Sequence, residues 1–322
     1  LRASSVTNSG VGILARLGPQ LQHEAALPRR LRFHQSWYRS EVLKIDAWGA
    51  TRAGRPLGSI LPGDAAARGE NFTTSDAQAS YLRRRLTGWG ADPVRSTSYM
   101  TSSQALMFNI FGLLVTNFGW TRDVLNLTLG RSNIRSLLRF ELEFAPLKRS
   151  HYLNDMTRVD VMFIVEADQG VETIALELKF ADRFNSRKVT VSGKAGYERL
   201  ADETGIWNNS LITLNDQKAN QLLRCHALAA SVLAVEYGVA TGSTLLVLHH
   251  RNDDESRALV AGYRRQLTNE NSCLEVTLDH FLAVAAATAP SSQRRIEVQK
   301  VANRYLLDGD SEEAWLDYIA SR

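Results

Sequence analysis

Hydrophobic and polar positions change period several times along the chain. From Ser102 or Ser103 to about Phe118 the residues are apolar on nearly every side (Ala105, Leu106, Phe108, Ile110, Phe111, Leu113, Leu114, Val115), which predicts a buried helix. The period then falls to two. Residues 139–146 alternate Phe140, Leu142 and Phe144 against Arg139, Glu141 and Glu143, and Pro146 ends the run. Residues 158–167 and 171–180 predict two more strands, joined by turn residues in "ADQGV". A long helix is expected from about Asn215 to Tyr237, with Gly238 past its end. Residues 243–250, "STLLVLHH", form a continuous apolar run of the kind buried on both faces of a sheet. "DESRALVAGYRRQL" reads as helix, "CLEVTL" as strand, and the last 45 residues as two or three helices. Upstream, Thr74 or Ser75 caps a helix running to about Leu86. Residues 46–72 are rich in Gly and Pro and read as irregular. The first 30 residues are expected to add little to the core.

The order is helix, three strands, helix, strand, then further α and β. It predicts an α/β core with a mixed central sheet over residues 100–290, the first strands antiparallel and the strand after the long helix added by a crossover.

One of these strands carries an acid and a base where apolar residues would serve. In "IALELKF", Glu177 and Lys179 share a face with Ala175, while Ile174, Leu176, Leu178 and Phe180 take the other. With the hairpin turn centred between Asp168 and Gln169, Glu166 lies opposite Val171 and Asp160 lies opposite Glu177. Opposed residues share a face, so Asp160, Glu177 and Lys179 are expected to meet. A turn of odd length would put Asp160 on the other face. Two opposed carboxylates repel each other, and a divalent cation relieves this. Mg²⁺ takes hard oxygen ligands, often one or two carboxylates together with water and phosphate oxygens. Such an ion acidifies water and polarises a phosphoryl oxygen, and a nearby lysine stabilises the developing negative charge. The alternative is a solvated patch that happens to contain Glu-x-Lys.

Helix, three strands, helix, strand, with Asp160 on one central strand and Glu177-Leu178-Lys179 on the next, resembles the PD-(D/E)XK nuclease superfamily. Val159 stands where the nominal motif has proline. "SSQALMFNIFGLL", "FELEFAP" and "RVDV…ALELKF", with "HQSWYRSEVL" and "GENF" upstream, are similar to a group of uncharacterised bacterial proteins of restriction-endonuclease type, over residues 33–250. The resemblance implies a restriction-endonuclease-like core with a mixed central sheet flanked by helices, plus N- and C-terminal helical extensions. The expected division is an N-terminal extension (1–99), a nuclease core (100–250) and a C-terminal α/β extension (251–322). It also implies a DNA endonuclease using Mg²⁺, with Mn²⁺ as substitute. Asp160 and Glu177 would be metal ligands and Lys179 would assist the attacking water. Glu143, then Glu141 and Glu70, would be candidates for a further acid. On the long helix, Gln217, Gln221, Arg224 and Leu228 form one stripe whose polar start points toward the site, and Gln221 is a candidate for orienting water or substrate. Double-stranded DNA is the implied partner and a homodimer the implied assembly.

Between hairpin and helix, Arg183, Arg187, Lys188 and Lys194 are candidates for neutralising phosphates, and Tyr197 and Trp207 for stacking on a base. The tract Arg83–Arg85 has the same status. The formal net charge of +4 suits a polyanionic partner without requiring one. Cys225 and Cys273, the only cysteines, have no metal-ligand spacing, so a reducing, cytoplasmic setting is expected. No apolar run approaches the roughly 18 residues of a membrane span. The chain starts at Leu1, so a trimmed N-terminus is expected; what remains resembles no targeting segment. "SGKA" departs from a phosphate-binding loop at Lys188 and Ala195, "HEAAL" lacks the second His of a zinc helix, and His249 and His250 read as structural. A catalytically silent nucleic-acid-binding or assembly module with the same fold is the alternative, and a non-nucleic-acid enzyme reusing the scaffold a third reading.

Overall fold

A computed structural model describes residues 9–88, 90–181, 189–191, 193–208, 219–307 and 309–322. Helices α1 (Ser9–Arg16), α2 (Ala26–Trp37), α3 (Gly63–Arg68), α4 (Ser75–Leu86) and α5 (Pro93–Thr97) precede the buried helix α6 (Ser103–Leu114). Then follow α7 (Phe118–Thr128), β1 (Ile134–Phe144), β2 (Val159–Ala167), β3 (Gly170–Leu178), α8 (Ala195–Thr204), α9 (Ala219–Tyr237) and β4 (Ser243–His249). The chain ends with α10 (Asp254–Arg264), β5 (Cys273–Thr277), α11 (Leu278–Ala287), α12 (Ser292–Tyr305) and α13 (Glu312–Ala320).

The five strands form one sheet in the order β1-β2-β3-β4-β5. The β1–β2 and β2–β3 pairs are antiparallel, and β3–β4 and β4–β5 are parallel. The mixed sheet follows from its connections. A tight turn with Gly170 at φ +123° makes the β2–β3 hairpin, whereas the stretch holding α8 and α9 is long enough to return the chain parallel. Both faces are covered. One carries α6, α7, α11 and α12, packed on Phe140, Leu142, Phe163, Ile174, Leu176 and Leu178. The other carries α8, α9 and α10, packed on Met162, Ile164, Ala175, Leu245 and Val247. The face split expected for β3 is therefore the observed one.

Two boundaries differ from expectation. The apolar helix stops at Leu114, because Asn117 starts a new helix by accepting the Trp120 N–H at 2.9 Å. Strand β1 begins at Ile134 rather than Arg139; register shifts between Ile134 and Ser136 and between Leu137 and Arg139 break its alternation, so no period of two is legible there. Phe144 also leaves the face it was expected to share with Phe140 and Leu142. Glu143 has a left-handed φ of +51°, and Phe144 joins the α9-side core, where the Arg139 guanidinium lies 5.5 Å from its ring centre. The N-terminal helix α2 is tied to the C-terminal helices: Arg30 pairs with Glu312 at 2.9 Å, and the Gln35 amide donates to the Arg304 carbonyl at 2.6 Å.

Helix α6 lies so close to α4 that a Cβ on Gly112 would sit 2.7 Å from the Ala77 Cα. Backbone cannot yield as a flexible side chain does. Gly112→Ala is expected to destabilise the protein by about 1–3 kcal/mol, read as a lower midpoint in urea denaturation.

Candidate active site

The hairpin register runs Val161↔Leu176 through Ala167↔Gly170, the count expected from the turn. Carried back one step, it sets Asp160 beside Glu177. The strands separate there, and the Asp160 Oδ2 accepts the Leu178 backbone N–H at 2.7 Å. Glu177 and Lys179 are buried, 3% and 7% exposed, so the solvated-patch alternative does not hold. The Lys179 Nζ donates to Glu177 Oε1 at 2.6 Å, and the Gln221 amide donates to the same oxygen at 2.5 Å. The Cys225 thiol lies 3.5 Å from the other Glu177 oxygen. Asp160, Glu177, Lys179, Gln221 and Glu143 line one cavity of about 470 Å³, whose lining also includes Gln104, Arg95 and Arg158.

Glu143 reaches this cavity from β1, 4% exposed. Its Oε1 accepts from the Gln104 amide at 2.5 Å, its Oε2 lies 4.0 Å from Arg158, and its carbonyl accepts from Arg84 at 2.7 Å. Glu141 instead pairs with Arg139 at 3.1 Å and faces a different pocket, and Glu70 is bound to Arg68. Arg84 and Arg85 are engaged with the Glu143 and Ala91 carbonyls. Base stacking by Tyr197 and Trp207 is corrected here. Both are buried in the α9-side core, the Tyr197 hydroxyl on Asp155 and the Trp207 indole on Tyr263, so neither face is open to a base. Lys194 is half-buried at the start of α8, while Arg183, Arg187, Lys188 and Gln217 lie outside the described residues. His249 sits near Glu275 at 3.6 Å and is not on the lining of the acidic cavity.

Sequence reasoning missed Gln104 and Arg158. The signal for Gln104 was an amide in the first turn of a largely apolar helix. Arg158 needed the β1–β2 pairing, which brings it toward Glu143.

Electrostatics set the charge states. Burial, then Glu177 and Glu143, push the Asp160 carboxyl well above its usual range, against the pull of Lys179 and the Leu178 N–H. Burial also raises Glu143, opposed by Gln104 and Arg158 and reinforced by Glu177. For Lys179 burial pulls the ammonium down, but Glu177 and Asp160 together outweigh it and the net shift is upward, so the amine stays protonated. Burial and Glu177 raise the Cys225 thiol, leaving it a neutral donor.

The donor set suits a hard divalent cation. Asp160 and Glu177 offer carboxylate oxygens, and among the described residues no hydrogen bond reaches Asp160 Oδ1. Among those residues, no group of three or more His, Cys, Asp or Glu side chains could itself hold a metal ion. Remaining positions would fall to water and phosphate, as is usual for Mg²⁺.

The raised Asp160 carboxyl has a consequence for stability. Below the unfolded-state value of about 3.9 both states keep the proton and nothing is lost. As pH rises toward the higher folded value, the unfolded chain releases its proton first, so stability falls. Asp160→Asn is therefore expected to raise the melting temperature of the metal-free protein at pH 7–8, with the gain fading below about pH 4. Differential scanning calorimetry across that range checks this; no gain at neutral pH would contradict it.

Among the described residues no helix is long and apolar enough to cross a membrane. No curated protein and no solved structure matches the chain. A family model described as PD-(D/E)XK nuclease superfamily matches residues 22–307, beyond the 33–250 of the resemblance at both ends. That match covers most of the chain and agrees with a five-stranded mixed sheet between helices, the restriction-endonuclease-like fold. On that match the chain belongs to the PD-(D/E)XK nuclease superfamily.

Proposed function

We propose that the protein is a Mg²⁺-dependent endonuclease of restriction type that cuts double-stranded DNA, with Mn²⁺ able to substitute. The observation that carries this reading is the meeting of Asp160, Glu177 and Lys179 at one solvent-open cavity. Superfamily membership supports nuclease chemistry in general; the residue roles and the DNA substrate are our inference.

Asp160 and Glu177 would hold the cation, with Glu143 adding negative charge from the far wall. When bound, the ion lowers the pKa of water and neutralises a phosphoryl oxygen. Lys179, kept cationic by its two acids, acts as a hydrogen-bond donor rather than a base. It orients the attacking water and opposes the negative charge that grows on the phosphoryl oxygens. Gln221 fixes the Glu177 carboxylate through Oε1. Arg95 and Arg158 on the cavity lining add positive charge near the substrate backbone. A duplex has two strands and one site cuts one of them. Two copies related by a two-fold axis would cut both, which is our ground for a homodimer.

Lys179→Ala is expected to lower cleavage of plasmid DNA by about 10²- to 10³-fold while Mn²⁺ binding, read by calorimetry, persists. Asp160→Ala is expected to lose both. Cleavage by both purified variants at the parent rate, with the same metal requirement, would refute the assignment. Salt-dependent DNA retention without cleavage under any divalent ion would favour the silent module instead.

A further inference from the structure

A second cavity, of about 660 Å³, adjoins the acidic one and shares Arg158 and Gln221 with it. Its remaining charged lining is Arg224, Lys194 and Asp155. Asp155 is occupied within the protein: one oxygen accepts the Tyr197 hydroxyl at 2.5 Å and the other the Thr157 N–H at 2.8 Å. Arg224 is half-buried on the lining of this cavity. Arg139 is paired with Glu236 at 2.8 Å. Among the described residues, Arg224 meets no carboxylate; it donates to the Thr157 hydroxyl at 3.2 Å, and its Nε is buried without a partner. An arginine withdrawn from water without an acid calls for an explanation. A ligand anion supplies one, since the guanidinium fork matches phosphate geometry.

Position decides which anion. Gln221 and Arg224 are three residues apart on α9, hence neighbours on one helix face. Gln221 touches Glu177. A strand whose reacting phosphate lies at Glu177 would therefore carry its next phosphate along α9 toward Arg224. Lys194 lies on the same cavity, 6.0 Å from the Tyr197 ring centre, with no acid partner among the described residues.

We propose that this second cavity receives the phosphodiester group adjacent to the scissile one, with Arg224 and Lys194 as its counter-charges. The proposal rests on the nuclease reading and names the part of the substrate that the flanking surface holds.

The test is binding without divalent cation, by fluorescence anisotropy of the full chain over a range of KCl concentrations. The probes are labelled duplex DNA, single-stranded DNA and RNA of one sequence. Arg224→Gln and Lys194→Gln are each expected to weaken binding roughly three- to tenfold and to lower the salt slope by about one. The loss should appear with every probe that the parent protein binds, because all carry the same linkage. Mn²⁺ affinity should stay at the parent value in both variants. Arg224→Lys, which keeps the charge, should retain the parent slope. Parent affinity and slope in both Gln variants, with the parent protein still cleaving, overturn this inference alone. So does weaker binding at an unchanged slope, which marks a damaged fold rather than a lost charge. A parent protein that cleaves but binds none of the probes overturns this inference alone; one that neither binds nor cleaves them overturns the nuclease reading with it.

Discussion

The register between β2 and β3 is the constraint on which the site depends. Side chains in a strand alternate faces, so a one-residue slip would carry Asp160 to the α6 side and leave Glu177 and Lys179 behind. Two features hold it. The turn places Ala167 opposite Gly170, and a one-residue slip would put the apolar residues of one strand on the wrong helical layer. The burial that stabilises the sheet is thus the same burial that brings the acids together. Slipping would cost many core contacts at once, which is why a destabilising meeting of carboxylates is tolerated.

That meeting is costly on its own terms. Half-buried Asp160 faces Glu177 and Glu143, and one ammonium, Lys179, offsets only part of the repulsion. Backbone strain adds to it. Glu143 holds φ at +51°, a conformation worth about 1–3 kcal/mol against a non-glycine residue. In return β1 delivers a carboxylate to the cavity and Phe144 to the core behind it. Strain and closely set carboxylates thus coincide at the end of β1, where Lys179 and Arg158 lie beside the acids.

Much of this was legible before any coordinates. The strands β2, β3 and β4 stand out as apolar runs bounded by turn residues, and the short turn makes the register of β2 against β3 countable. Gln221 was legible because it lies in the polar start of a helical stripe, Gln217, Gln221, Arg224 and Leu228, whose continuation is apolar. Three things were hidden. Strand β1 carries register shifts that erase its alternation, so its start was misplaced. The left-handed backbone at Glu143 has no marker in the sequence, since glycine or asparagine would be the usual residue there; hence Phe144 was assigned to the wrong face. Tyr197 and Trp207 looked available for stacking because the segment around them is basic and polar. Only tertiary packing reveals that their rings complete the core under α9.

Gln104 brings the remote parts of the chain to bear on the same carboxylates. Its Oε1 accepts the Asp92 N–H and the Ser96 hydroxyl, both at 2.8 Å. An amide oxygen held by two donors leaves its nitrogen only one direction, so Nε2 must donate to the Gly90 carbonyl at 3.0 Å and to Glu143. The orientation of this side chain is therefore fixed by its surroundings rather than free to flip. It joins the start of α6, the loop around α5 and the strained end of β1. The acidic cavity is consequently held from both faces of the sheet: Gln221 of α9 on Glu177, and Gln104 of α6 on Glu143. Two neutral amides, each a donor to one carboxylate, thus fix the positions of Glu177 and Glu143 from opposite sides of the sheet without adding charge.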